Sequence, residues 1–147
     1  LGWTAAFDPT ASQVGWGTGA DRLARSLTRM LDRAGLGLDD IDLIVSGASG
    51  SIAGDRLEAG TLRAAWGDRP LPPVTAPKAV TGEYGGGFLA AAVLALDGAP
   101  PTAGFERLDP DVGLSPITAA GASPIRRALV STVASGGPAC WLLLERP

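Results

Sequence analysis

An α/β fold is predicted by three features of the sequence. An amphipathic helical pattern over Ala20–Ala34 leads into a nearly continuous apolar run, Ile41–Val45, of the kind buried on both faces of a sheet. That run delivers a Gly/Ser loop and then a second helical segment, Ala53–Trp66. Near the other end, two strand-like runs flank Ser135-Gly136-Gly137-Pro138 as a pair of adjacent antiparallel strands would. A chain of 147 residues, 46% of them hydrophobic, can bury a core as one domain over residues 1–147.

Each element has its own justification. Leu1–Phe7 is a short apolar strand, and the Pro-, Ser-, Thr- and Gly-rich stretch Asp8–Gly19 is a loop. In Ala20–Ala34 the residues Leu23, Leu27, Met30, Leu31 and Ala34 share one face, Arg and Asp fill the other, and Gly35 closes the end. Ile41–Val45 ends in SGASGS, and the helix after it stops at Gly67. Leu71–Thr75 is a Pro-flanked extended segment. Tyr84–Leu96 is a helix apolar on nearly every side, which predicts burial, and Asp97-Gly98 ends it. Ala99–Ser123, rich in proline and glycine with no period, is an irregular surface connection. Arg127–Ala134 and Ala139–Glu145 are the last two strands, which brings the layer plan to five strands and three helices.

Composition excludes several classes of function. A net charge of −3 with scattered Lys and Arg offers no basic field for a nucleic acid. The longest apolar stretch, Phe88–Leu96, is about half of a bilayer crossing, so no membrane partner and a soluble, cytoplasmic protein are expected. One cysteine rules out an internal disulfide, and the absence of histidine removes the commonest metal ligand and general base. No metal and no cofactor are expected. A first residue of Leu rather than Met is expected of a fragment, a processed product or a trimmed chain.

Smaller motifs have ordinary readings beside functional ones. GWGTGA, with Gly15, Gly17 and Gly19 before a helix, could turn around a phosphate, but the spacing is not GxGxxG. SGASGS has better cradle geometry, yet it lacks a phosphate-binding lysine and a tight turn explains its glycines equally. Cys140, between apolar neighbours in a strand, is a small buried hydrophobe. Asp109 and Asp111 are two carboxylates in a proline-rich loop, where solvation is the rule. The four tryptophans, at 3, 16, 66 and 141, belong to core or interface packing.

Three stretches, taken in order, carry a resemblance. After IDLIV come Gly47-Ala48-Ser49-Gly50-Ser51-Ile52-Ala53-Gly54-Asp55-Arg56-Leu57-Glu58. About twenty residues on, Pro77-Lys78-Ala79-Val80-Thr81-Gly82-Glu83 precedes a Gly/Ala-rich helix, and Ala134-Ser135-Gly136-Gly137 joins the last two strands. The chain resembles the C-terminal half of a β-ketoacyl synthase, of the thiolase-like fold. There a strand enters HGTGTxxGDxxE, a KxxxGH pattern follows, and a GFGG-type turn lies near the end. The resemblance implies an α/β thiolase-like half with a mixed five-stranded sheet and helices on both faces, the N-terminal half being absent. It places Gly47 and Glu83 where the family's two histidines stand, and Ser135 where a gating phenylalanine commonly sits. Ser49, Ser51, Gly54, Asp55, Glu58, Gly82, Gly136 and Gly137 are its structural positions. The family's nucleophilic cysteine belongs to the other half.

Claisen condensation needs a thiolate to carry the acyl group and donors to stabilise the charge that develops as malonyl thioester loses carbon dioxide. Gly47 offers no side chain, and a carboxylate at Glu83 repels a malonyl carboxylate unless burial protonates it or Lys78 neutralises it. The PKxxTG form is similar to the chain-length-factor subunits of aromatic polyketide synthases, which keep the fold and lose the catalytic residues. The resemblance therefore implies a non-catalytic subunit that pairs with a ketosynthase subunit or a separate N-terminal half-chain and shapes an acyl-chain tunnel. An acyl carrier protein would bring the phosphopantetheine-bound chain. One alternative is the C-terminal piece of a split enzyme, active only in complex, with Glu83 and Lys78 as its catalytic residues; another is a stand-alone acyl-binding module using Gly47–Ser51. A half-fold also predicts a large apolar face awaiting a partner.

Overall fold

The computed structural model describes residues 2–119 and 125–147. Its sheet has five strands: β1 (Gly2–Phe7), β2 (Leu43–Ser46), β3 (Val74–Thr75), β4 (Arg127–Val133) and β5 (Pro138–Glu145). Their spatial order is β1-β5-β4-β2-β3. β1 and β5 are antiparallel, as are β5 and β4, whereas β2 runs parallel to both β4 and β3. The sheet is therefore mixed. Four helical segments accompany it: α1 (Ala20–Arg33), α2 (Ile52–Trp66), a single turn α3 (Lys78–Thr81) and α4 (Gly85–Leu94).

Helices cover both faces, as the resemblance implied. On one face Leu23, Leu27, Met30 and Leu31 of α1 and Leu57, Leu62 and Trp66 of α2 pack with Ile44, Leu129, Trp141 and Leu143. On the other, Phe88, Ala92 and Ala95 pack with Leu43, Val45, Ala128 and Val130. β2 is buried at every position because both layers need it.

The strand at IDLIV starts two residues later than its apolar run. A 3₁₀ turn at Leu38–Asp40 precedes it, and the Asp42 carboxylate accepts the backbone N–H groups of Arg126 and Arg127, both at 2.8 Å. The turn α3 was not anticipated; Pro77 starts it and Gly82, at φ +64°, ends it. α4 stops at Leu94, where i→i−3 bonds from Leu96 to Val93 and from Asp97 to Leu94 tighten the chain into a turn.

The expectation that this all-apolar helix is buried is corrected. Only one side of α4 meets the sheet, and Leu89, Val93 and Leu94 are 49%, 52% and 67% exposed. Trp3 and Phe7 of β1 are exposed as well. They point away from α1, because the other side of β1 packs there: the space beside Gly2 is bounded by Met30 and Ala34. An uncovered apolar face thus runs from the edge of the sheet to α4.

Over 99–119 the connection is irregular except where Pro116 bridges β3 at Val74. The rest of the expected connection, 120–123, and the first strand residue, Leu1, lie outside the described residues.

Candidate functional site

Three loops converge at the end of β2 and β4 on a cleft of about 310 Å³. Gly47, Ser49, Gly54, Asp55 and Glu58 line it from the first motif, Lys78 and Glu83 from the second, and Ser135 from the third. Ser51, Gly82, Gly136 and Gly137 stand outside the lining: Ser51 is the residue before α2, Gly82 ends α3, and the two glycines form the β4–β5 turn. Trp16, Thr132, Val133 and Ala134 complete the walls, the first three of them not anticipated as site residues.

The first motif is held by its own carboxylates. Asp55 accepts the backbone N–H groups of Ser49 and Gly50, each at 3.1 Å, which closes the Gly/Ser loop. Glu58, 1% exposed, accepts the Ser46 hydroxyl at 2.9 Å and the Gly47 N–H at 3.1 Å. Burial pushes its pKa above the ordinary glutamate value, against those donors and the nearby Ser131 hydroxyl.

Gly47 leaves no room for a side chain. A Cβ there would lie 2.9 Å from the Ser131 carbonyl oxygen and 3.0 Å from Thr132 Cα, both backbone atoms of β4. Gly54 is constrained by a side chain instead, because the Trp16 ring stands 2.6 Å from where its Cβ would be.

Lys78 and Glu83 meet across the second motif. Lys78 Nζ donates to Glu83 Oε2 at 3.0 Å and lies 5.4 Å from the centroid of the Phe88 ring. The lysine side chain is 11% exposed, the glutamate's 67%. The Ser49 hydroxyl, then Lys78, hold the Glu83 carboxyl below its ordinary pKa, so it is ionised at neutral pH.

The loop that carries Trp16 is organised by Asp8. This buried carboxylate accepts Gly19 N–H at 2.8 Å, Thr10 N–H at 3.0 Å and the Thr10 hydroxyl at 2.7 Å. Burial alone would raise its pKa, but these donors and Arg22 outweigh it and the net shift is downward. The glycine turn before α1 is thus filled by a carboxylate of the chain itself, as SGASGS is by Asp55. In both loops, N–H groups that a phosphate would use are taken by the chain's own carboxylates: Gly19 by Asp8, and Ser49 and Gly50 by Asp55.

The remaining candidates lie elsewhere. Cys140 is half-buried in β5, and desolvation raises its thiol pKa. Asp109 accepts the Asp111 N–H at 2.9 Å, while Asp111 pairs with Arg56. Among the described residues, no group of three or more potential ligands could hold a metal ion, and no helix is long and apolar enough to cross a membrane.

Comparison with known proteins identifies the family and the fold. The family model described as beta-ketoacyl synthase, C-terminal domain, matches residues 2–99. A granaticin polyketide beta-ketoacyl synthase 2 of Streptomyces violaceoruber is 45% identical over 94 residues, 60% of this chain and 22% of that protein. The tetracenomycin polyketide synthase ketoacyl synthase beta subunit of Streptomyces glaucescens is 36% identical over 97 residues, 62% of this chain and 24% of its own length. The chain therefore spans less than a quarter of the length of these relatives. Among solved structures, the ishigamide ketosynthase/chain length factor aligns over 100% of this chain and 37% of its own, with a TM-score of 0.83 and 27% identity. A type II polyketide synthase acyl-carrier protein in complex with its ketosynthase aligns over 99% and 38%, with a TM-score of 0.88 and 18% identity, a likeness of fold.

Proposed function

The chain belongs to the beta-ketoacyl synthase C-terminal domain family, and on that premise we propose that it is a non-catalytic ketosynthase-like unit of a polyketide or fatty-acid synthase. Residues 1–147 act as one domain that pairs with an active ketosynthase or with a separate N-terminal half, and together they shape the tunnel for an acyl chain delivered by an acyl carrier protein. The similarity to ketosynthase beta subunits and to a ketosynthase/chain length factor supports this reading.

One observation carries the loss of catalysis. The cleft that gathers the three motifs has Gly47 at one histidine position, with backbone in the place of a side chain, and an ionised Glu83 at the other. An ionised carboxylate cannot donate to a developing enolate, and it repels a malonyl carboxylate. The uncovered apolar face supports assembly, since an exposed patch of that kind marks an interface.

A second reading has one observation in its favour: Lys78 keeps a nearly buried ammonium in the cleft, coupled to Glu83, where a split enzyme could use the pair. Native mass spectrometry of the assembly purified through this chain, with peptide sequencing of its partners, tests the choice. A partner with a nucleophilic cysteine and both histidines is the expected result. Recovery only of a half-fold with a lone cysteine overturns the non-catalytic reading.

A further inference from the structure

The layer formed by α1 and α2 carries a feature that the cleft does not use. On α1, Arg25, Arg29 and Arg33 are all exposed. At four-residue spacing each lies about 40° round the helix from the last, so the three guanidinium groups form a stripe about 12 Å long. Among the described residues none of them forms an ion pair, although Asp21 and Asp32 share the helix. Asp21 four residues before Arg25 and the place of Arg33 in the last turn both favour the helix, but Arg29 lies between two like charges at four-residue spacing, so local stability does not account for the whole row.

Beside the stripe, α1 and α2 enclose a shallow groove of about 200 Å³ lined by Asp21, Ala24, Arg25, Thr28, Ala64 and Ala65. Its alanine walls are small enough to admit one side chain from outside. Because α1 and α2 cover one face of the sheet and the uncovered apolar surface lies on the other, a partner docked there leaves the stripe open.

We propose that this stripe and groove form a second docking surface, for an acidic helix of a partner protein that sets carboxylates on Arg25, Arg29 and Arg33 and one apolar side chain in the groove. Carboxylates repeating every fourth residue match the arginine spacing, and Arg pairs with them bidentately. A nucleic acid fits less well: the stripe is one helix wide, carboxylates flank it at Asp21 and Asp32, and the groove offers no aromatic ring for a base.

The test uses the protein in the assembly in which it is isolated. The probe is a fluorescein-labelled helical peptide of about three turns with Glu at every fourth position and one Leu beside them, followed by anisotropy. Binding is expected to weaken about tenfold from about 50 to about 300 mM salt, and about tenfold in Arg25→Gln/Arg29→Gln/Arg33→Gln protein. The corresponding triple lysine variant, which keeps the charge, should stay within about threefold of wild type. Unchanged assembly mass shows that the variants fold. Undiminished peptide binding by the glutamine variant, no binding at low salt, or an oligonucleotide of equal charge binding as tightly overturns the proposal. None of these outcomes touches the reading of the cleft, which is lined by different residues.

Discussion

Gly47 and Glu58 are joined by a hydrogen bond, with the backbone N–H of the first donating to Oε1 of the second at 3.1 Å. The bond fastens the first position of a twelve-residue motif to its last, across the turn into α2. Everything between them, including the loop that Asp55 closes, is thereby held against the end of β2.

Removing that carboxyl should be costly. Glu58→Ala strands the Ser46 hydroxyl and the Gly47 N–H in a buried site, at about 1–3 kcal/mol for each lost partner. Glu58→Gln keeps an acceptor for Gly47 and should cost less. The pH dependence gives the sign: a carboxyl whose folded pKa is raised binds its proton more tightly in the folded state, so stability falls as pH rises above the unfolded glutamate value. Urea unfolding from about pH 5 to about pH 8 should show this decline in wild type and a flatter profile in Glu58→Gln.

Gly47→Ala should destabilise by about 1–3 kcal/mol, since its Cβ meets the β4 backbone at 2.9–3.0 Å and the strand has no rotamer with which to yield. For the same reason, Gly47→His with Glu83→His should fail to restore decarboxylation of a malonyl thioester in the assembly. Carbon dioxide release above the wild-type background would show that the loop opens far enough to place an imidazole.

The Lys78–Glu83 pair should matter little to stability. Its carboxylate is 67% exposed, so solvent screening limits Glu83→Gln to about 1 kcal/mol or less. With its folded pKa lowered, Glu83 contributes stability above the carboxylate range and loses it as pH falls through that range. Thermal melts of wild type and Glu83→Gln should therefore converge at low pH. In the intact assembly, product formation should be unchanged; its abolition with assembly intact would make the glutamate a working residue.

Leu94→Glu should leave the chain folded while weakening assembly, because this side chain is 67% exposed on α4 and outside both cores. A charge buried without a partner at an interface costs several kcal/mol, enough to raise the dissociation constant about a hundredfold or more and so lower the fraction of complex in native mass spectrometry at fixed concentration. An unchanged fraction would remove α4 from the interface.

Gly54→Ala should push the Trp16 ring out of the cleft wall, since their closest approach is 2.6 Å. A shift in tryptophan fluorescence with little change in the sheet is the expected signature. Trp16 also shows where sequence reading reached its limit. Its neighbours Gly17 and Gly19 resembled a phosphate turn, yet the group that fills this turn is Asp8, eleven residues before Gly19. Nothing local to GWGTG announces that partner.

What the sequence determined by itself came from periodicity and order. The 3.6-residue pattern of Leu23, Leu27, Met30 and Leu31 specified α1, the unbroken apolar run specified a strand buried on both faces, and the order of three degenerate motifs specified the family. The tertiary structure decided what each side chain meets. Only it shows that Gly47 is closed off by the backbone of β4, that Lys78 reaches Glu83 and Phe88, and that α4 buries one side and leaves the other bare. The physical reason is range. Helix and strand patterns arise between residues a few positions apart, whereas the fit at Gly47 depends on Ser131 and Thr132, which the chain brings alongside only when β2 and β4 pair in register.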